Sequence, residues 1–229
     1  MTIGYATTNY PNGVTNAAVG SALQTYILPD PTSAHTYFND FDVFTAADWT
    51  VTETQAGATQ AIANGNGGWL ALVNSAANND LNAIQALNTT FAFTAGKALW
   101  FKCRFKLSNA TNAAAIIGLQ VIDTTPLAVT DGVFFSKPAA STTLSLVVEK
   151  TSTATTTTAG TMADDTFVEA GFHYDGSNSV FVYFNGNRVA SSAVTNLPTV
   201  GLCVSIAVAN GTAAANTMTV DYYLASAER

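Results

Sequence analysis

Residues 99–107 alternate Leu, Phe, Cys, Phe and Leu with Trp, Lys, Arg and Lys, and this strict period restricts the fold more than any other feature. Successive side chains of a β-strand point to opposite faces, so the period predicts a strand with one buried and one solvated face. Similar alternation occurs at 144–148, 168–174, 202–208 and 218–224. Strands that are buried on one face pack as two layers, which predicts an all-β antiparallel β-sandwich.

Turn signals separate these strands. Asn185-Gly186 lies between two apolar runs, and this dipeptide is a strong hairpin signal because a type I′ turn needs positive φ at both central residues. A short helix is conceivable over residues 76–87, although Asn-Asn-Asp in its first half disfavours it. The Thr-rich run 151–160 is interpreted as a loop or an exposed β-ribbon.

Residues 1–36 show neither the two-residue period of a strand nor the 3.6-residue period of a helix, and they contain Pro11, Pro29 and Pro31. This composition predicts an extended, irregular N-terminal arm, followed by a sandwich domain over residues 37–229. The arm also carries apolar side chains, which would be buried either on its own domain or on a partner. We favour the partner because exposed apolar groups tend to mark interfaces. The candidate interface residues are Tyr5, Tyr10, Val14, Leu23, Tyr26, Ile27 and Leu28.

Charged residues make up only 10% of the chain, and the net charge is -7. An acidic protein repels phosphate backbones, so nucleic acid is not an expected partner. No uncharged apolar stretch reaches the ~18 residues needed to cross a bilayer, so no membrane partner is expected. The chain opens without the basic and apolar segments of a secretory signal, which predicts synthesis in the cytoplasm of a host cell.

Two cysteines, Cys103 and Cys203, lie in apolar runs. Free cysteine is among the residues most often buried, so both are predicted to be buried thiols. Two cysteines are also too few for a disulfide framework.

Catalytic chemistry is sparse in this sequence. The two histidines, His35 and His173, are not accompanied by a Gly-x-Ser-x-Gly motif, which disfavours a catalytic triad. Glycoside hydrolysis requires two carboxylates about 5–10 Å apart. Asp40 and Asp42 have the right spacing to share one face of a strand, but we interpret them as a polar edge at the entry to the domain. We therefore predict no catalytic residue and expect a protein that is not an enzyme.

No metal or cofactor site is predicted either. The metal-binding patterns Cys-x-x-Cys and His-x-x-x-His do not occur. A calcium site built from Asp123, Asp131 or the pair Asp164-Asp165 stays open, although acidic loop residues are more often only solvated. The run 65–68, Gly-Asn-Gly-Gly, precedes a strand rather than a helix, which favours a tight turn over a phosphate-binding loop.

Aromatic side chains are the remaining interaction chemistry. Trp49, Trp69 and Trp100 could provide a platform on which sugar rings stack. Trp100 lies on the polar side of its strand, which makes it the best candidate for a glycan contact. The alternative interpretation is that a large ring covers a sandwich edge or an oligomer interface, since Trp is enriched in both.

Several segments together resemble a known family. They are YFNDFD (37–42), LWFKCRFKLSNAT (99–111), DGVFFSK (131–137), DTFVEAGFHYDGSNSVFVYFNGNRV (165–189) and MTVDYYLASAER (218–229). In these segments the chain resembles the concanavalin A-like, laminin-G-like jelly-roll domains of tailed-phage virion proteins. The leader, with NYPNGVTN (9–16), resembles the arm of phage head-decoration or cement proteins.

This resemblance implies a structural virion protein, a homotrimer that binds the major capsid protein on the capsid exterior and stabilises the shell. Glucanase relatives of the fold carry Glu-x-Asp catalytic strands, and legume-lectin relatives carry Asp/Asn metal loops. The sequence matches neither pattern, so no catalytic, cofactor or metal residue is transferred. The alternative function is a carbohydrate-binding, lectin-like module of a virion or fibre for host attachment, with Trp100 as its glycan contact.

Overall fold

The computed structural model describes residues 33–229. The candidate interface residues Tyr5, Tyr10, Val14, Leu23, Tyr26, Ile27 and Leu28 lie outside the described residues. The described strands are β1 (Ala34–Asn39), β2 (Trp49–Glu53), β3 (Thr59–Ala63), β4 (Trp69–Val73), β5 (Leu81–Ala86), β6 (Leu99–Leu107), β7 (Ala113–Gln120), β8 (Gly132–Lys137), β9 (Thr143–Lys150), β10 (Thr153–Thr161), β11 (Val168–Tyr174), β12 (Ser179–Phe184), β13 (Asn187–Ala193), β14 (Cys203–Asn210) and β15 (Thr217–Glu228). Short 3-10 helices occur at Ala46–Asp48 and Pro126–Ala128, and no helix among the described residues is long and apolar enough to cross a lipid bilayer.

The strands form two antiparallel sheets that pack face to face. The eight-stranded sheet has the order β13-β12-β11-β6-β15-β4-β3. Its eighth strand, β1, pairs with the second half of β15, on the edge where β4 pairs with the first half. The seven-stranded sheet has the order β10-β9-β8-β7-β14-β5-β2. The predicted all-β antiparallel sandwich is therefore confirmed.

A single large hydrophobic core fills the space between the sheets. The five apolar side chains of β6 are at most 1% exposed, whereas the four between them face outward. Phe101 of β6 stacks on Phe172 of β11 with ring centroids 5.3 Å apart, and Phe172 meets Phe135 of β8 across the interior at 6.2 Å. The alternation seen in the sequence thus fixes which face of each strand is dry.

Both cysteines are buried and unpaired, as predicted. Burial raises the pKa of the Cys203 thiol to about 12 and raises the pKa of the Cys103 thiol further. A thiol with a raised pKa is a weak nucleophile at neutral pH, so both act as small apolar groups.

The hairpin turn predicted from the local sequence forms in the structure, whereas the short helix considered from the sequence does not. Asn185 and Gly186 have φ values of 48° and 79° and join β12 to β13 in the predicted hairpin. The short helix considered for residues 76–87 does not form, because Leu81–Ala86 is a strand held between β2 and β14. Burial on both faces of that strand overrides weak helix propensity. The Thr-rich run is β10, a largely exposed strand paired with β9, in agreement with the β-ribbon interpretation.

The last residues of the predicted arm, 34–36, belong to the first strand. β1 pairs with β15 from Ala34 opposite Glu228 to Asn39 opposite Tyr223. This pairing places the start of the described chain beside the end of β15.

The outer face of the seven-stranded sheet is partly covered by the chain itself. Gln85 of β5 donates a hydrogen bond to the carbonyl oxygen of Val121, and its own side-chain oxygen accepts one from the backbone of Asp123. Val129, from the same loop, packs with Phe134 in a second buried cluster on this face. Loop 121–131 therefore covers part of this outer face.

Lys137, the last residue of β8, is a buried cation at one end of the core. Its side chain is 0% exposed, and its Nζ donates a hydrogen bond to the carbonyl oxygen of Ala113. Burial lowers the pKa of Lys137 to about 8, although the charge of Asp164 acts in the opposite direction.

This lowered pKa predicts a specific pH dependence of stability. Between pH 8 and the ordinary pKa of 10.5, the unfolded chain binds more protons at Lys137 than the folded chain, so the contribution of Lys137 to stability rises with pH. Relative to Lys137→Met, we expect the wild type to gain up to about 3 kcal/mol in free energy of unfolding across this window. Denaturant titrations at both pH values measure the gain. Lys150→Met, at a partly exposed position, is the control, and an equal gain in both comparisons would contradict the assignment.

Candidate functional site

A groove of about 930 Å³ lies on the outer face of the eight-stranded sheet. Its floor is formed by β6, β11, β12 and β15, and its rim includes Ser33 and Arg229. The pairing register aligns the outward side chains of these strands into rows that cross the sheet. Neighbouring rows differ in chemistry, so the floor offers different partners along its length.

The first row is aromatic and consists of Phe181, His173 and Trp100. Trp100 and His173 are stacked, with ring centroids 4.9 Å apart and planes 3° from parallel, and His173 contacts Phe181 at 5.8 Å. The imidazole covers one part of the indole, while 37% of Trp100 remains exposed. Trp100 therefore lies on the outer, solvated face, where the alternation predicted it.

His173 also points outward, but it is half-buried within the row. Burial lowers the pKa of His173 below its ordinary value, while the charges of Asp175 and Glu228 act to raise it. A neutral imidazole therefore backs the indole near neutral pH.

The second row contains a gap. Gly171 lies between Lys102 of β6 and Tyr183 of β12. A Cβ atom at Gly171 would lie 3.0 Å from the carbonyl oxygen of Phe101, a tight contact that a side chain could make only if its neighbour moved by a few tenths of an ångström. We call this gap the notch, and it leaves a depression beside the aromatic row.

A hydrogen-bonded group of polar side chains borders the notch on its other side. Lys102 Nζ lies 2.9 Å from a carboxylate oxygen of Glu169, and the Tyr222 hydroxyl donates to the same carboxylate at 3.0 Å. The hydrogen bond from Lys102 holds the pKa of Glu169 below its ordinary value. Glu169 is therefore an ionised, partly exposed acceptor in the groove.

A second group of carboxyls lies farther along the same face. Asp221 occupies a bulge of β15, is 7% exposed and forms an ion pair with Arg104. Burial raises the pKa of Asp40, and the charges of Asp221 and Asp42 raise it further. A carboxyl group whose pKa is raised beside a second carboxylate is the kind of arrangement that general acids use. Sequence spacing suggests Asp40 and Asp42 as the two neighbouring carboxylates. In the fold, Asp221 from the distant strand β15 also lies near enough to affect Asp40.

The three tryptophans have different surroundings. Trp49 lies in the core, edge-on to Tyr223 at 6.3 Å. Trp69 lies under the predicted tight turn, because a Cβ atom at Gly65 would overlap its indole ring. Of the three tryptophans, Trp100 is the one that lines the groove, as far as the described residues show.

The acidic residues considered for calcium are engaged separately. Asp123 accepts two hydrogen bonds within its own loop, Asp131 and Asp164 each accept a backbone N–H, and Asp165 pairs with Lys106. Within residues 33–229, no three His, Cys, Asp or Glu side chains come together in a group that could hold a metal ion.

Glu169, Gly171 and Tyr183 were missed as site residues in the sequence. Glu169, Gly171 and His173 are two residues apart along the 168–174 alternation. The sequence spacing therefore predicts that all three lie on the outward face of one strand. Their neighbours on β6 and β12 depend on the register between strands, which the pattern of a single strand does not fix.

No protein-family model matches the chain, and no curated protein matches it. Solved structures do share its architecture. An endo-1,3-beta-glucanase from Streptomyces sioyaensis matches with a TM-score of 0.61 and 15% identity, over 88% of this chain and 99% of that chain. Peanut lectin matches with a TM-score of 0.56 and 11% identity, over 85% and 97%. A protein of unknown function from Shewanella oneidensis MR-1 matches with a TM-score of 0.60 and 16% identity, over 86% and 87%.

These matches correct one expectation and leave another without support. The expectation that the chain is not an enzyme is contradicted, because the matching structures include glycoside hydrolases, among them a lichenase and a Bacillus licheniformis beta-glucanase. Nothing in the matches indicates a phage capsid decoration protein. Lectins and glucanases share the fold, which is consistent with carbohydrate binding at the level of fold. Residues 33–229 thus form a concanavalin A-like sandwich, as predicted.

Proposed function

We propose that the groove on the outer face of the eight-stranded sheet binds a carbohydrate chain. The observation that carries this proposal is the notch at Gly171, with the Trp100–His173 stack on one side and the hydrogen-bonded Lys102 and Glu169 on the other. A pyranose ring has an apolar C–H face and a rim of hydroxyls, so it matches a site that offers aromatic surface and polar groups together.

Each bordering group has a defined role in this proposal. The exposed part of Trp100 and the ring of Tyr183 provide apolar surface for the sugar face. The Glu169 carboxylate accepts hydrogen bonds from sugar hydroxyls, and charge-assisted bonds of this kind contribute about 1.5–3 kcal/mol. The notch allows the ring to approach the backbone of β11, which a side chain at position 171 would prevent.

Substitution of Trp100 tests this binding mode. Trp100→Ala removes the stacking surface, and we expect the affinity for a bound glycan to fall by about tenfold or more. A glycan array identifies the ligand, and calorimetry then measures the affinity. Leu127→Ala is the matched control, because Leu127 is 39% exposed but lies in the loop over the other sheet. Equal affinities of Trp100→Ala and Leu127→Ala would refute the assignment of the groove.

Glycoside hydrolysis is the second candidate function, and it is favoured by the Asp40–Asp221 arrangement. Asp40 has a raised pKa, as a general acid needs, and Asp221 is a second carboxylate on the same face. The hydrolases among the structural matches are consistent with this chemistry at the level of fold.

A hydrolysis assay with Asp40→Asn tests the second candidate. We expect release of reducing ends from a cleaved polysaccharide to fall by at least about 100-fold, because general acid catalysis contributes that much. Asp48→Asn removes the same charge at an exposed position and should keep its activity. Full activity in Asp40→Asn, or no cleavage of any polysaccharide by the wild type, would rule out this candidate.

The virion role inferred from the resemblance stays a prediction. It comprises a homotrimeric decoration protein on the capsid exterior, with the major capsid protein as partner. Its interface residues lie outside residues 33–229, so no observation on the described chain favours it over carbohydrate binding.

A further inference from the structure

Most cations of this chain lie on or beside one face. The sequence has eight Lys and Arg residues and a net charge of -7. Six of the eight are associated with the outer face of the eight-stranded sheet: Lys97, Lys102, Arg104, Lys106, Arg188 and Arg229. The other two, Lys137 and Lys150, belong to the seven-stranded sheet, and Lys137 is buried. Most of the positive charge of this acidic protein therefore lies on or beside this face, together with Glu169 and Glu228, which also line the groove.

Of the five cations other than Arg229, three are paired with Asp or Glu side chains and two are not. The matched pairs are Lys102–Glu169, Arg104–Asp221 and Lys106–Asp165. Within residues 33–229, neither Lys97 nor Arg188 lies within 4.0 Å of an Asp or Glu carboxylate. Lys97 donates to a terminal main-chain oxygen of Arg229, and the Arg188 guanidinium lies 3.7 Å from the centroid of the Phe181 ring.

The two unmatched cations are placed beside the aromatic row. Arg188 sits over Phe181, which is the β12 end of the row formed with His173 and Trp100. Lys97, just before β6, lines the same groove as Trp100. Within residues 33–229, Arg188 has no Asp or Glu partner and stands beside Tyr183, which lines the groove, while Lys97 lines the groove itself and is bound to Arg229.

We infer that the groove selects acidic saccharide chains, in which a uronate carboxylate pairs with Arg188 or Lys97 while another sugar ring of the same chain stacks on Trp100. This inference rests on the proposed function, because it names the ligand class of the same groove. A guanidinium matches a carboxylate in a two-point geometry, which a neutral sugar cannot provide. The excess of carboxylates elsewhere on the chain repels an anionic polymer and favours its contact with this face.

Matched ligands separate charge from ring recognition. The probes are oligosaccharides of galacturonate, glucuronate, mannuronate and guluronate, each compared with its own methyl ester, which keeps the ring and removes the charge. For the best-bound probe we expect the acid form to bind at least roughly tenfold more tightly than the ester at low ionic strength. We also expect the difference to shrink in about 0.5 M NaCl, because salt screens exposed charges.

Charge variants identify the residues involved. Arg188→Gln and Lys97→Gln should each weaken binding of the acid form by several fold to tenfold and leave binding of the ester unchanged. Arg188→Lys should weaken binding of the acid form less than Arg188→Gln does, because lysine keeps the positive charge but lacks the two parallel N–H donors of a guanidinium. Lys150→Gln is the matched control, since it removes one positive charge from the other sheet.

The possible failures are distinguishable. Binding of esters or neutral glycans that depends on Trp100 but shows no preference for the acid would overturn the inference and leave the proposed function standing. A preference for the acid that survives in both Arg188→Gln and Lys97→Gln would overturn the assignment of these residues. Failure to bind any acidic or neutral saccharide would overturn both the inference and the proposed function.

Discussion

Phe101 and Phe172 of one sheet pack against Phe135 of the other in an interior that excludes water. Because successive side chains of a strand alternate, burying these rings forces their neighbours to the opposite face. In β6 those neighbours are Trp100 and three cations, and in β11 they include Glu169 and His173. The dry contact between the sheets therefore determines where the polar chemistry of the eight-stranded sheet is displayed.

The two outer faces of the sandwich differ in how far the chain itself covers them. On the seven-stranded sheet, loop 121–131 packs against Phe134 and accepts a hydrogen bond from Gln85. These apolar and amide groups therefore contact other parts of the chain. On the eight-stranded sheet, the Gly171 notch and the row containing Trp100 stay accessible in a groove. This asymmetry makes the second face the place where a ligand can meet aromatic and charged groups together.

Much of the fold followed from local patterns, whereas the site followed only in part. Alternation predicted the sandwich and the outward position of Trp100, and the Asn185-Gly186 turn predicted its hairpin. The register between strands stacks His173 on Trp100, and a bulge in β15 brings Asp221 near Asp40. These are long-range relations that depend on how distant segments pair, so no single run of residues encodes them.

In the proposed function, a saccharide contacts the protein on the outer face of the eight-stranded sheet. Titration of a uniformly ¹⁵N-labelled sample with an oligosaccharide found to bind would follow every backbone amide at once. The account predicts that the largest chemical-shift changes occur at Gly171, His173 and Tyr183, with loop 121–131 unaffected. Shift changes centred on loop 121–131 or on the Thr-rich edge strand, with Gly171 unchanged, would contradict it.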